Sequence, residues 1–456
     1  MSESLKQEIF DRLNLKTIHE LRQLGRAIGV PHPADGKKEN LMDGIMAVAT
    51  GEKDPETPSK RGAPPKSQEY DRQLASDIFR CREICLSAQI KDDKKADRKI
   101  FVANGDRNSL DYVDSGILEC CGDKWFLRTT GCRENLSSDV FVNEYFVKTY
   151  NLREGDFVTG KCERRSRDEM SGLSCVIRVN GDQPENLSSR CVFDSFKPIY
   201  ADRKLSAGNS ATGRIVYLFA PIGAGQRVFI SSQKAACNTQ ILKDVVKGIR
   251  QANRNVKIVI VSVDVSPEDA EDFSSLFKDE DVFTSTFDAG TAAHIRTVRL
   301  ALEYCKRQTE KMQDVVLVID NLTRLIRAYN AYARQFTAGL DYSAVDSIKR
   351  LLATARNTDK GASLTIITAL VCGNGDAFEE AAYSALNDIF NVKIPLSASL
   401  LRNGVYPPIV IGDTYSSSDT RLLKDDEMSL ALKLRKSDNQ KIIELFNSTT
   451  DNSQIK

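Results

Sequence analysis

Eleven cysteines and three histidines are the residues whose side chains could ligate a metal or carry redox chemistry. Structural metal centres need such ligands at short, fixed spacings. Only CREIC (Cys81, Cys85) and ECC (Cys120, Cys121) bring cysteines close together, and no histidine stands at ligand spacing from them. The cysteines therefore read as reduced, mostly buried thiols. Net charge is equally uninformative, because 64 basic residues against 63 acidic ones leave +1. Any nucleic-acid surface must then be local, since a near-neutral total can hide a basic channel. The run KDDKKADRK mixes both signs and reads as a solvated face.

At 456 residues the chain is too long for one hydrophobic core, and its 41% hydrophobic and 28% charged residues suit a folded, multidomain protein. No apolar stretch approaches the length of a membrane span, and MSESLKQEIF lacks the apolar core of a secretion signal. A cytoplasmic protein without membrane contact is expected. Leu15, Ile18, Leu21, Leu24 and Ile28 recur at helical spacing, Gly29-Val30-Pro31 breaks the run, and a second helix is expected around Leu41 to Val48. This defines a small helical module over 1–50. The Pro-, Lys- and Ser-rich text after Gly51 cannot support a core and reads as a linker, followed by a helix over about 74–90, so 51–111 joins two folded parts.

From Val113 to Val179 five short β runs (SGILEC, WFLRT, DVFVNEYFV, GDFVTGKCE, SCVIRVN) alternate with turn residues, which predicts a small β-barrel over 112–182. Beyond Tyr200 apolar strands alternate with helices: VFISS (228–232), a helix to about Ile249, VKIVIVSVD (256–264), a helix at 267–277, DVVLVID (314–320), a helix at 344–356 and SLTIITALV (363–371). That pattern predicts a parallel α/β sheet over 183–435. Residues 436–456 are expected as a polar tail.

The order of five segments then carries a resemblance: APIGAGQRVFISSQKAACNT, SVDVSPED, STFDAGTAAH, DVVLVIDNLTRLIRAYN and ARNTDKGASLTII. These resemble successive signature segments of the transcription termination factor Rho family, RNA-dependent ATPases with a RecA-like P-loop domain. Upstream, SGILEC, WFLR, DVFVN and NLREGDFVTGK follow the order of that family's cold-shock (OB-like) domain, and LKTIHELRQLGRAIGV resembles its N-terminal helical module. The similarity covers about residues 14–50 and 112–425. It implies binding of single-stranded RNA, ATP and Mg²⁺, a six-membered ring, and RNA polymerase as a further partner.

Carried over residue by residue, the resemblance exposes departures. A working P-loop, G-x-x-x-x-G-K-[ST], cradles phosphates with backbone N–H groups, sets a Lys on the β- and γ-phosphates and offers a hydroxyl to Mg²⁺. In SSQKAACNT, Thr239 keeps the hydroxyl, but Cys237 replaces the Gly and Asn238 the Lys. At an effective dielectric of ~20, one charge about 4 Å from a phosphate oxygen is worth roughly 4 kcal/mol, on the order of a thousandfold in rate. Lys234, four positions earlier, is the nearest substitute for that charge. The family's water-orienting Glu after the second core strand falls on Val265, and an expected Arg falls on Ser266. Asp320 keeps the Walker B position, pairing with Thr239 around Mg²⁺, and Arg421 falls at the inter-subunit arginine finger.

For RNA, the resemblance selects Trp125, Phe126 and Arg128 on one barrel strand and Asp139 and Phe141 on the next, aromatics for stacking bases and Arg for phosphates. Channel-loop contacts would come from Lys349 and Arg350, whereas the second channel loop carries Asp376 and Ala377 where a Lys is expected. Three readings result. The first is an RNA-binding regulator or mixed-ring partner of a complete Rho, with ATP hydrolysis weakened or lost. The second is an active ATP-dependent RNA helicase that terminates transcription. The third is a structural or metabolic protein that has left nucleic acid.

Overall fold

The computed structural model describes residues 2–30, 37–50, parts of 71–81, 111–129, 139–163, 170–233, 235–333 and 339–455. The expected linker after Gly51, the KDDKKADRK run, Cys85 and Lys234 lie outside the described residues. Two compact units emerge, one holding residues up to Thr129 together with 135–153 and 157–188, the other holding most of the chain from Ser189 onward.

In the first unit, helices α1 (Ser2–Asn14), α2 (Ile18–Ile28) and α3 (Lys38–Thr50) form the expected module. Helix α2 starts at a capping box, in which the Thr17 hydroxyl accepts from Glu20 N–H and the Glu20 carboxylate accepts from Thr17 N–H. It stops at Gly29, whose φ of 82° suits a residue without Cβ. Leu21, Leu24 and Ile28 are buried against Ile9, Leu13, Ile45 and Val48. Leu15, expected in the same stripe, instead lies in the turn between α1 and α2 and is 85% exposed. The described residues of the following helical segment add Leu74, Ile78 and Cys81 to this core, so that segment belongs to the module.

The barrel is closed in the order β1-β2-β3-β5-β4. Its strands are β1 (Asp111–Cys121), β2 (Lys124–Arg128), β3 (Val140–Val142), β4 (Phe157–Glu163) and β5 (Ser171–Val179). Strand β1 is long enough to pair with both β2 and β4, which closes the cylinder. The expected strand DVFVNEYFV is divided: β3 ends at Val142, the Asn143 side chain accepts from Tyr145 N–H, and α4 (Glu144–Thr149) begins there. The cap outweighs the β propensity of Tyr145 to Val147.

In the second unit, a short strand β6 (Pro198–Ile199) and α5 (Ala211–Phe219) precede the sheet proper. The long path runs β14-β13-β7-β12-β10-β8-β9. It is built from β7 (Arg227–Ser232), β8 (Lys257–Val265), β9 (Asp281–Thr286), β10 (Val315–Asp320), β12 (Ser363–Val371), β13 (Val392–Pro395) and β14 (Tyr415–Ser416), with β11 (Arg356–Thr358) bridging β12 to β6. All neighbours from β13 to β9 are parallel, as expected for near-continuous apolar runs. The crossover helices are α6 (Ala235–Ala252), α7 (Pro267–Leu276), α8 (Thr291–Glu310), α9 (Leu322–Tyr332), α10 (Tyr342–Ala353) and α11 (Ala377–Leu386). The strands β9 and β13 and the 20-residue helix α8 were not anticipated from periodicity.

Further helices α12 (Ala398–Arg402), α13 (Asp419–Leu422), α14 (Asp425–Leu434) and α15 (Asn439–Ser448) follow. The segment expected as a polar tail is therefore corrected: α15 buries Ile442, Ile443 and Phe446 in the main core. Arg214 of α5 is buried beneath it and donates to the carbonyls of Phe446 and Thr449 and to the Thr449 hydroxyl. Three apolar positions on one face were enough to convert a polar-looking stretch into a packed helix. Truncating Phe446→Ala, a fully buried ring, is expected to destabilise this unit by about 3–5 kcal/mol, read as a lower urea midpoint with the barrel's own transition unchanged.

Candidate nucleotide and nucleic-acid sites

The carboxyl ends of β7, β8, β10 and β12 converge at the start of α6, where open α/β sheets bind ligands. Thr239, near the start of α6, donates its hydroxyl to both carboxylate oxygens of Asp320 at 3.2 Å. Asp320 ends β10 and is 2% exposed. Burial pushes its carboxyl up to about 6, against the opposing pull of Arg324, the Thr239 hydroxyl and Lys243. A hydroxyl and a carboxylate side by side form the oxygen donor set that suits a hydrated Mg²⁺. These two predicted residues are thus brought together.

Asn238 is not turned toward that pair. Its side chain is wholly buried, the amide Nδ2 donates to the Leu370 carbonyl at the end of β12 (3.0 Å), and Oδ1 has no hydrogen-bond partner. Cys237 packs in the apolar core, where burial raises its thiol pKa. Helix α6 already begins at Ala235, so its free first-turn N–H groups precede Asn238.

At the end of β8, Val265 is 1% exposed. The pairing of β8 with β9 slips between Val263 and Val265, and Asp264 at the slip adopts φ 53°, a left-handed conformation uncommon outside glycine. Its carboxylate lies 3.8 Å from His294 Nε2, while His294 Nδ1 shares a 2.8 Å hydrogen bond with the Ser285 hydroxyl. Burial lowers the imidazole pKa, partly opposed by Asp264. Ser266, at the position of an expected Arg, caps α7 by accepting from Asp269 N–H at 3.1 Å. Sequence reasoning missed Lys243 and Arg324 as cations acting on Asp320: Lys243 lies outside the quoted segments, and Arg324, though inside DVVLVIDNLTRLIRAYN, was given no role there.

Arg421 is exposed on α13, with its guanidinium 4.1 Å from the centre of the Tyr200 ring. Lys349 and Arg350 are exposed on α10. Asp376 caps α11, accepting from Phe378 and Glu379 N–H, and these bonds with Arg327 nearby hold its carboxyl below the usual range. Arg327 spans Asp376 (3.3 Å) and Glu379 (3.0 Å), and Gly373 N–H and the Asn374 amide are taken up by Glu380 and Glu379.

On the barrel, alternation along β2 puts Phe126 and Arg128 outward and Trp125 inward, where Trp125 packs against the barrel core. The expectation that Trp125 shares the outer surface is thereby corrected. Phe126 and Phe141 are cross-strand partners with ring centres 5.9 Å apart, edge to face, and Phe141 is 39% exposed. Arg128 lies 5.2 Å from the Phe126 ring centre but is only 4% exposed. Its guanidinium donates to Glu119 (2.5 Å), to Asp139 and to Cys121 Sγ (3.1 Å). Both carboxylates are buried, and their charges hold the guanidinium protonated against the opposing effect of burial. Arg128 is thus a buried support beside the aromatic pair rather than an exposed phosphate ligand. Glu119 was not anticipated, since its approach to Arg128 depends on the β1–β2 register.

A pH dependence follows at Asp320. Its folded-state pKa of about 6 lies above the ordinary carboxylate value, so its contribution to stability is full below about pH 4 and is lost as pH rises through 6. Asp320→Asn is expected to stabilise the nucleotide-free chain at pH 8 by up to about 3 kcal/mol. That gain should vanish near pH 4, read as the difference in urea midpoints across a pH series.

Residues 114–185 match the RNA-binding domain of the Rho termination factor, and residues 213–416 match the nucleotide-binding domain of the ATP synthase alpha/beta family. Over 343 residues the chain is 31% identical to transcription termination factor Rho of Buchnera aphidicola subsp. Baizongia pistaciae, covering 72% of this chain and 82% of that protein. The Pseudomonas fluorescens biotype C protein of the same name is 31% identical over 334 residues (70% and 80% covered), and that of Streptobacillus moniliformis 32% over 317 (68% and 75%). The first match contains the aromatic face of the barrel, and the second contains the strand ends around Thr239 and Asp320. With identity at this level over most of both lengths, the chain belongs to the transcription termination factor Rho family.

Proposed function

We propose that this chain is an RNA-binding Rho relative whose ATP hydrolysis is weakened or lost. It acts as a regulator, or as a mixed-ring partner of a complete Rho, in transcription termination. The observation that carries the reading is Asn238, whose buried amide is spent on the Leu370 carbonyl at the position where a phosphate-binding Lys is needed. Val265 supports it, because a buried isopropyl group cannot orient an attacking water. Mg²⁺ with a nucleotide would be held by Thr239 and Asp320, and the metal would supply charge neutralisation on the phosphates. Single-stranded RNA would stack on Phe126 and Phe141, with Arg128 and Asp139 fixed beside them. RNA polymerase and a six-membered ring, homomeric or mixed, are the partners this reading carries.

One feature favours the alternative of an active RNA-dependent ATPase. Arg421 remains exposed and is presented on the Tyr200 ring, as a finger reaching a neighbouring subunit's nucleotide would be.

Hydrolysis of Mg-ATP by the purified chain, with and without cytosine-rich RNA, tests between them. Turnover at background is expected, alongside RNA binding that weakens with salt. Restoring both groups in Asn238→Lys/Val265→Glu should raise turnover at least tenfold above background. RNA-stimulated hydrolysis by the unmodified chain would establish the active reading instead.

A further inference from the structure

Strand β8 is apolar from Ile258 to Val265 except at Ser262 and Asp264. Asp264 reaches solvent, but Ser262 is 0% exposed and its Oγ has no hydrogen-bond partner. A hydroxyl sealed in an apolar strand without a partner is unfavourable, and alanine would fill the same position without that cost.

Register fixes what stands beside it. Ser262 lies opposite Asp320 in the parallel pairing of β8 with β10, and the preceding pairs on the same face are Ile260 with Val318 and Ile258 with Val316. Those four residues pack in one cluster with Ile241, Leu242 and Val245 of α6. Alternation therefore puts Ser262 and Asp320 side by side under the first turns of α6, on the face from which Thr239 reaches Asp320. Neighbouring strands stand about 4.8 Å apart, yet the Ser262 hydroxyl bonds neither to the carboxylate nor to any other polar atom. Lys243, one turn beyond Thr239, is engaged by Asp272 and lies over the Phe273 ring, so its ammonium is held toward α7 rather than toward this pair. Two oxygen-bearing side chains thus adjoin without bonding to each other, and a third supports one of them.

We propose that Ser262 is a positioning residue for the divalent cation at Thr239 and Asp320, its hydroxyl taking up a water of the cation's hydration shell. Mg²⁺ gives up its waters reluctantly, so those it keeps need partners on the protein, and such outer partners hold the directly bound groups in place. The proposal rests on the reading that Thr239 and Asp320 hold Mg²⁺. A buried water without any cation would also satisfy the hydroxyl, and the two cases differ in what removing it does to metal affinity.

Electron paramagnetic resonance of free Mn²⁺, titrated into the full chain without nucleotide, reads that affinity directly. Binding is expected, and Asp320→Asn should abolish it. Ser262→Ala should weaken it about ten- to a hundredfold, and Ser262→Thr, which keeps the hydroxyl, should restore most of the loss. Urea unfolding of the metal-free chain supplies a second readout. Ser262→Ala should unfold there at the same or a higher midpoint, because it removes only an unpartnered hydroxyl; a lowered midpoint would assign the hydroxyl to folding and overturn the proposal. If the unmodified chain binds no Mn²⁺, or Asp320→Asn binds it as well, the metal reading of the Thr239–Asp320 pair fails and this proposal with it. If binding depends on Asp320 and Ser262→Ala leaves the affinity unchanged, the proposal alone is overturned, and the hydroxyl holds an ordinary buried water.

Discussion

The second unit depends on a sheet with apolar residues on both faces. Strands β8, β10 and β12 are buried almost without interruption, so polar groups can emerge only where the strands stop. Their parallel direction makes them stop on one side. Thr239, Asp264, Asp320 and the Leu370 carbonyl come from segments spread over more than a hundred residues of sequence and meet because of this constraint. The Thr239–Asp320 pair lies at that edge, above the apolar packing of the sheet. Asn238 and Val265 stand near that edge: both are buried, and neither supplies a charge.

Buried charge sets the character of both units. In the barrel, Arg128 is held between Glu119 and Asp139, and removing it would set two buried carboxylates against each other without the cation between them. The trio ties β1, β2 and the residue before β3 together next to Phe126 and Phe141, so the aromatic pair is braced from the side. Asp320 has a weaker arrangement. A neutral hydroxyl touches it directly, with the charges of Arg324 and Lys243 acting on it as well, and its raised pKa records incomplete compensation. A divalent cation would complete it.

The sequence made most of the framework readable because long apolar runs leave few alternatives: β7, β8, β10 and β12 lie within a residue or two of their expected bounds. What escaped was governed by local or long-range detail. Asn143 ends a strand that composition would have continued. Leu15 fell in a turn because α1 was not foreseen. At the sites, residue types indicated which side chains mattered but not where they pointed. Trp125 faces inward through strand alternation, Arg128 is buried through the β1–β2 register, and Ser266 serves as a cap where a missing charge had been inferred. The pairing of Thr239 with Asp320 was anticipated because a motif fixes both ends of it; Glu119 belongs to no motif and was not.

The clasp between Arg214 and the end of α15 has a consequence in time. The guanidinium of an early helix donates to carbonyls 232 and 235 residues later in the chain. At about 5–20 residues per second of synthesis, α5 waits roughly ten to fifty seconds on the ribosome before the helix that covers it exists. Throughout that interval its apolar face, including Phe219, which finally meets Phe446, lacks its native cover. The second unit thus closes late, and its nascent form is the stage most dependent on protection from aggregation.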